Sequence, residues 1–336
     1  IMGFKLNAKN FNNALEKLSQ NYNIYAPKVF VGKGRSSETD MVRYGQVNTI
    51  EEIEFNKKSD FSYKEVLLPI TQTLFYFTED SFSEPKKEVK DAIIFLRSCD
   101  MHSLKRIDDM YLNNGFEDMY YKRVREGAKF IVIGCSESFE NCFCVDMKSN
   151  KTDSYDAYIG FKDGEVYLDV KDEYLSGIFG ELKTESLDVV PEFVEENNVR
   201  VNIPNNLDPK VMDSDMWKEY SQRCIACGRC NFVCPTCTCF TMQDIFYKDN
   251  EKTGERRRVW ASCEVEGYTT MAGGHSFRQE KGQRMRFKVM HKVYDHKQRF
   301  GYNMCVGCGR CDDICPEYIS FSNCVNKLND AMDEVK

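Results

Sequence analysis

Apolar positions along the chain fall into runs of two kinds. Ala92-Ile93-Ile94-Phe95-Leu96 and Phe130-Ile131-Val132-Ile133-Gly134 are continuous, the pattern of strands buried on both faces of a sheet. Between them Leu104, Ile107, Met110 and Tyr111 recur at helical spacing, so this region predicts a strand, a helix and a second, parallel strand. Ala14-Leu15-Glu16-Lys17-Leu18 belongs to a short amphipathic helix, and Val29-Phe30-Val31 to a strand ended by a turn at Gly32-Lys33-Gly34. Residues 157–161 and 165–170 flank Lys162-Asp163-Gly164, and Asp-Gly between two such runs predicts a hairpin. Met242-Gln243-Asp244-Ile245-Phe246-Tyr247 reads as helical. From about 184 to 210 periodicity fails: Pro191, Pro204 and Pro209 and two Asn-Asn pairs mark a domain boundary, placed near 205.

Composition narrows the class. The chain has 336 residues, 42% of them hydrophobic, enough for two cores. Mean hydropathy is −0.54 and no run approaches 18 apolar residues, which argues against a membrane span. The first residues lack the apolar core and cleavage site of an export signal, so a cytoplasmic location is expected. Net charge is −7, which weighs against a dedicated nucleic-acid binder. Sixteen cysteines change the picture more than any of these. In a reducing compartment they point to metal or redox chemistry rather than disulfides. None lies in 1–98, four lie in 99–144, none in 145–223, and twelve in 224–324.

The strongest pattern is a repeated one. Cys224, Cys227, Cys230 and Cys234 followed by Pro235 read C-x2-C-x2-C-x3-C-P, and Cys305, Cys308, Cys311 and Cys315 followed by Pro316 repeat it. This is the bacterial two-cluster ferredoxin run, in which three thiolates bind one [4Fe–4S] cubane and the fourth crosses to the other. Cluster 1 is therefore assigned Cys224, Cys227, Cys230 and Cys315, and cluster 2 Cys305, Cys308, Cys311 and Cys234. Gly228 and Gly309 are read as letting backbone approach the inorganic sulfides, and each Pro as opening a helix that leaves the cluster. Zinc knuckles would need two C-x2-C pairs and have no use for the third Cys or the C-P. Seventy residues separate Cys234 from Cys305, far more than a minimal ferredoxin. The expected fold is α+β: an N-terminal α/β domain with a partly parallel sheet over 1–205, then a mainly helical ferredoxin-like domain over 206–336 with an insertion at 236–304.

A third site is read in the first domain. Cys99 and Cys135 each follow one of the two buried strands, so parallel neighbours would deliver both thiols to one carboxyl edge. Cys142 and Cys144 follow on a polar loop, and four thiols are the ligand set of a cubane. A zinc site, or cysteines buried for packing, are the competing readings. Asp100 is a substitute ligand candidate, and His102 a cap for the site. Cys237, Cys239, Cys263 and Cys324 are read as packing or hydrogen-bonding residues that tune the clusters. His275 sits in a glycine-rich turn with no partner at ligand spacing. Residues 278–299 carry eight Lys/Arg against two acids; the two readings are a solvated helix face and a docking face for an acidic partner. No Walker loop, nucleophile elbow or dinucleotide fingerprint is present. No catalytic residue is assigned: clusters pass single electrons and cannot take a hydride, so both donor and acceptor must be other subunits.

These residues also carry a family resemblance. Leu68-Pro-Ile-Thr-Gln-Thr-Leu-Phe-Tyr-Phe77, Cys99-Asp100, Cys135 to Cys144, Cys234-Pro-Thr-Cys237-Thr-Cys239, Arg256-Arg257-Arg258, Trp260-Ala-Ser-Cys263 and Met271-Ala-Gly-Gly-His275 carry it. With the second cysteine run they resemble the ferredoxin-like electron-transfer component of bacterial anaerobic sulfite reductases. The wider group includes electron-transfer components of sulfur-reducing hydrogenases. The resemblance implies a cytoplasmic complex in which a flavin subunit oxidises NADH, this chain relays electrons through [4Fe–4S] clusters, and a sirohaem subunit reduces sulfite to sulfide. A chain that binds sirohaem itself, or a zinc-binding nucleic-acid module, are the alternatives from other classes.

Overall fold

The computed structural model describes residues 2–36, 38–86, 90–247 and 250–335. It divides into two compact units: Ile1–Leu67, Lys90–Arg200 and Val306–Cys308 form one, and Leu68–Val89, Val201–Cys305 and Gly309–Lys336 the other. The chain thus changes unit more often than a single cut near 205 implies. The fold class is mixed α/β, with a partly parallel sheet and a C-terminal ferredoxin-like region.

The first unit is built on eight strands in the order Glu185–Ser186, Met2–Asn7, Glu165–Val170, Ala157–Lys162, Lys129–Ile133, Asp91–Leu96, Tyr22–Phe30, Met41–Gln46. Asp91–Leu96 and Lys129–Ile133 are parallel, in register from Ile93↔Lys129 to Leu96↔Val132. Their apolar runs are continuous because both faces are covered: Ile93, Ile94, Phe95, Ile131 and Val132 have no accessible surface. The helix Ser98–Tyr111 crosses between them as expected, joined by a second helix, Met119–Glu126. The hairpin forms at Asp163 and Gly164, both at positive φ (53° and 78°), the two-residue turn whose twist matches its strands. Ala8–Ser19 is the first helix, capped by the Asn7 side chain, and buries Phe11, Ala14, Leu15 and Leu18.

The second unit holds a four-stranded antiparallel sheet in the order Phe240–Tyr247, Asn250–Trp260, Thr71–Phe77, Phe82–Ser83. This corrects the helical reading of residues 242–247. Met242, Ile245 and Phe246 are spaced like a helix face, but the segment pairs with Arg256, Arg257 and Arg258, whose side chains supply partners that local periodicity does not show. Arg256 donates twice to Asp244 at 2.6 Å, and Arg258 lies over the Phe240 ring. The same partner strand takes in Thr71–Phe77 on its other edge, which is why residues 68–89 belong to this unit. Around the cysteine runs lie Met216–Arg223, Phe321–Asn326, Leu328–Glu334 and the helix Lys281–Met290. That last helix continues through a π-helical turn, His291–Asp295, and a final turn, His296–Phe300, ending at Gly301 (φ 83°). Among the described residues no helix is long and apolar enough to cross a membrane.

Candidate metal centres

The two cysteine runs adopt the same backbone. Ala226 and Gly307, each one residue before the second Cys of its run, have φ of 57° and 64°. Gly228 and Gly309, one residue after it, have φ of 74° and 70° and open the short helices Arg229–Phe232 and Arg310–Ile314. Two left-handed residues bracketing one cysteine wrap the chain around a point, as ligation of a compact cluster requires. The glycines at 228 and 309 are therefore demanded first by conformation.

In the second unit Cys224, Cys227, Cys230 and Cys315, the four thiols assigned to cluster 1, line one cavity of about 480 Å³, counting the part open to solvent. Lys288, Glu264, Met285 and a fifth thiol, Cys311, are also in its wall. Burial pushes the Cys224 thiol above its ordinary range and Cys230 up to about 11. Four convergent thiols in a cavity are a donor set that fits a cubane. Among the described residues no three His, Cys, Asp or Glu side chains close tightly enough to hold a single metal ion. A cubane offers each thiolate its own iron and needs no such closure.

Cys234 accepts or donates with Thr236 Oγ1 at 3.4 Å, and hydrogen-bonds Cys237, whose thiol is pushed up chiefly by that bond and then by burial. Cys263 donates to Cys239; the bond outweighs burial and lowers the Cys239 thiol to about 6, and together with burial it raises Cys263. Tyr268 hydrogen-bonds Cys239 as well, and Asn231 Nδ2 donates to Cys263 Sγ and Ser262 Oγ, both at 3.0 Å. Of the four thiols without an assigned cluster, Cys237 is thus bonded to a proposed ligand, and Cys239 and Cys263 to each other. Cys324, with no accessible surface, pairs with Tyr220, and burial pushes it up to about 12.

The basic helix departs from both expectations at three of its eight cations. Met285, Val289 and Val293 form the buried apolar face that the spacing indicated, but Arg284, Lys288 and Lys292, at four-residue intervals, are buried too, each no more than 4% exposed. These three belong to neither a solvated face nor a docking surface, whereas Arg278, Lys281, Arg286, Lys297 and Arg299 keep exposure. Burial opposes the charge of Lys288, but Cys230, Cys311 and Glu264 outweigh it and raise its pKa; it hydrogen-bonds Cys230. Lys292 follows the same rule with Cys234, Cys237 and Cys305, and donates to Thr236 Oγ1 at 2.7 Å. Glu264 is 1% exposed, with neither carboxylate oxygen hydrogen-bonded among the described residues; burial raises its pKa, against Lys288 and Arg284. The signal for these lysines is present in the sequence as a basic stripe at i, i+4, i+8 beside an apolar one.

In the first unit Cys99 lies in the first turn of Ser98–Tyr111 and Cys135 two residues past Lys129–Ile133, at one sheet edge. The polar loop that carries Cys142 and Cys144 buries its thiols. Cys142, Phe143 and Cys144 are 7%, 1% and 6% exposed, because the polar residues of that loop turn outward and the thiols inward. Burial first, then Cys142, pushes Cys144 up to about 12, while Asn197 Nδ2 donates to its sulfur at 3.7 Å. Lys58 Nζ approaches Cys142 Sγ at 3.7 Å, and Cys142 donates to the Cys308 carbonyl at 3.4 Å. Arg97 reaches Cys135 Sγ at 3.5 Å and is fixed by the Gly134 carbonyl at 2.7 Å. Asp100 is fully buried and its carboxylate turns back to the Arg97 N–H as a helix cap. His102 bonds the Lys151 carbonyl at 2.8 Å, and His275 packs edge-on to Phe277. Sequence reasoning misses Arg97, Lys58 and Asn197; in the sequence Asn197 reads only as part of a boundary.

Residues 223–319 match the family model described as 4Fe-4S dicluster domain. Over 347 residues the chain is 27% identical to sulfhydrogenase 2 subunit beta of Pyrococcus furiosus, with 98% of each chain covered. No solved structure matches the chain. The common ground of these likenesses is an iron–sulfur electron-transfer protein.

Proposed function

We propose that the chain is the electron-relay component of a cytoplasmic, multi-subunit oxidoreductase of the sulfhydrogenase type. Cysteines 224, 227, 230 and 315 hold one [4Fe–4S] cluster, and 305, 308, 311 and 234 a second. Cysteines 99, 135, 142 and 144 hold a third. The observation that carries the reading is the cavity lined by the first four thiols together with Cys311, so that both runs contribute to one site. Such clusters take and release one electron at a time. The protein's own residues do the rest: buried cations beside the thiols offset anionic charge, and the Cys142–Cys308 hydrogen bond links the third thiol group to a ligand residue of the second run.

The full-length likeness to a sulfhydrogenase beta chain favours a hydrogenase host over a sulfite reductase. The sulfite reductase reading, with an NADH-oxidising flavin subunit and a sirohaem subunit for partners, rests on the motif resemblance and is the second reading. Anaerobic affinity purification from the native host separates them: a hydrogenase large subunit in the complex supports the first, sirohaem absorbance the second. The isolated chain should carry about twelve iron atoms if three cubanes are present and about eight if two are. A count near eight that is unchanged by Cys135→Ser with Cys144→Ser rejects the third cluster.

A further inference from the structure

Lys288 and Lys292 stand one helical turn apart in the interior of the second unit, where a lysine is seldom found. They are 4% and 3% exposed. Among the described residues neither is matched by a carboxylate of its own. The acid near Lys288, Glu264, is shared with Arg284, and Lys292 bonds a threonine hydroxyl and thiols. Removing an ammonium from water without a full counter-charge is strongly unfavourable. The groups that do face these two ammoniums are sulfurs, Cys230 and Cys311 at Lys288 and Cys234, Cys237 and Cys305 at Lys292, and all but Cys237 would be thiolates once a cluster is bound. The π-helical turn begins between them, at His291, and carries Lys292. Such turns concentrate at functional sites.

We infer that Lys288 and Lys292 are potential-setting residues, each the buried counter-cation of one of the two ferredoxin-type clusters, Lys288 for the cavity that holds Cys224, Cys227, Cys230 and Cys315 and Lys292 for the site that takes Cys234 and Cys305. This rests on the ligand assignment proposed above. A cubane held by four thiolates is a dianion, and one-electron reduction makes it a trianion. A fixed positive charge close to the ligand sulfurs, hydrogen-bonded to Cys230 at Lys288 and acting through space on Cys234 and Cys305 at Lys292, stabilises the reduced form more than the oxidised one, so it raises the potential. The lysines exchange no electron and lose no proton; they act through charge alone. One helix thereby weights two potentials unequally, Lys288 through its bond to Cys230 and more weakly through Cys311, which lets neighbouring stations of a relay differ although their cysteine runs are alike.

The test is an EPR-monitored redox titration of the full-length reconstituted chain, with iron counted in every variant. Lys288→Met should lower the reduced-to-oxidised ratio of the cluster bound by Cys230 about tenfold at a fixed ambient potential, equivalent to about 59 mV for a one-electron couple, and that of the other, whose ligand Cys311 also faces Lys288, by clearly less. Lys292→Met should do the same to the other cluster, and Lys288→Arg and Lys292→Arg should restore each. If a Met variant fails to hold iron, retention by its Arg counterpart supports the counter-cation role. Loss in both, or unchanged potentials with iron retained, overturns it. A wild-type chain that takes up no cubane refutes the ligand assignment instead, so the two failures are distinct.

Discussion

Gly307→Ala offers a sharp test of how the second cysteine run is held. Gly307 has φ of 64°, and a Cβ built there would lie 2.5 Å from the Phe143 carbonyl oxygen, 2.6 Å from its carbon and 2.7 Å from the Cys144 nitrogen. All three obstacles are backbone, so no side chain can swing aside. The Gly307 carbonyl also accepts from the Phe143 N–H at 2.8 Å, and Ser149 Oγ bonds the Val306 carbonyl at 2.6 Å, which pins the loop at two points. The left-handed conformation costs alanine about 1–2 kcal/mol, and overpacking adds about 1–3 kcal/mol, together about 2–5 kcal/mol. Gly301→Ala is the matched control: φ is 83° but nothing lies within 4 Å of the added carbon, so only the conformational cost of about 1–2 kcal/mol applies. Urea unfolding of the iron-free chain, followed by circular dichroism, should show a larger drop in midpoint for Gly307→Ala than for Gly301→Ala. Iron uptake should fall in the first and persist in the second. Equal midpoints would show that the close approach to Phe143 is not a constraint and refute the reasoning.

Three more outcomes follow from the site. Asn231→Ala removes one donor at 3.0 Å from each of Ser262 Oγ and Cys263 Sγ, Ser262 Oγ keeping the Glu264 N–H at 3.2 Å, and should cost about 0.5–1.5 kcal/mol in the same unfolding assay; a loss under about half a kcal/mol (a surface-sized effect) would contradict it. In the iron-free chain Cys144, held as a thiol by burial, should react with iodoacetamide at about pH 8 far more slowly than the exposed Cys227, read by peptide mass mapping; equal rates would remove the buried loop. His291 has its pKa lowered from 6.5 to about 4, by burial and then by Lys292 and His296. The unfolded chain therefore takes up a proton that the folded chain refuses, so this contribution is intact above about pH 6.5 and is lost as pH falls toward about 4. The difference in stability between wild type and His291→Gln should shrink or reverse over that window, and a pH-independent difference would count against it.

What can be read from the sequence is what neighbouring residues decide. The strand–helix–strand unit is legible because two-sided burial makes both strands continuously apolar, and the hairpin because Asp163 and Gly164 suit consecutive positive φ. Residues 242–247 are not, since their partners are three arginines farther along the chain and, across that strand, residues of Thr71–Phe77. The lysines escape for a related reason. A charge run on a helix normally faces water, and what draws Lys288 and Lys292 inward is a set of thiols brought up from other segments.

The cysteines themselves show where spacing stops being informative. It suggests which thiols belong together, because three cysteines with two residues between neighbours recur in each run, and the fourth of each run is read as crossing to the other. It does not indicate why each glycine is there. Gly228 and Gly309 read as making room for sulfide, yet both hold left-handed φ at the start of a helix, and at Gly228 an added Cβ would meet Val265 Cγ2 at 2.7 Å and Ser262 at 3.0 Å. One residue before the second Cys of each run, the same left-handed turn is made by Ala226 in the first and Gly307 in the second. Alanine can therefore bear the conformational cost at that station. What forbids it at 307 is the Phe143 backbone, and Phe143 lies between two thiols of the third candidate centre. The difference between the two runs is thus a record of local surroundings: Gly307, within the first unit, is fitted against the loop that carries Cys142 and Cys144.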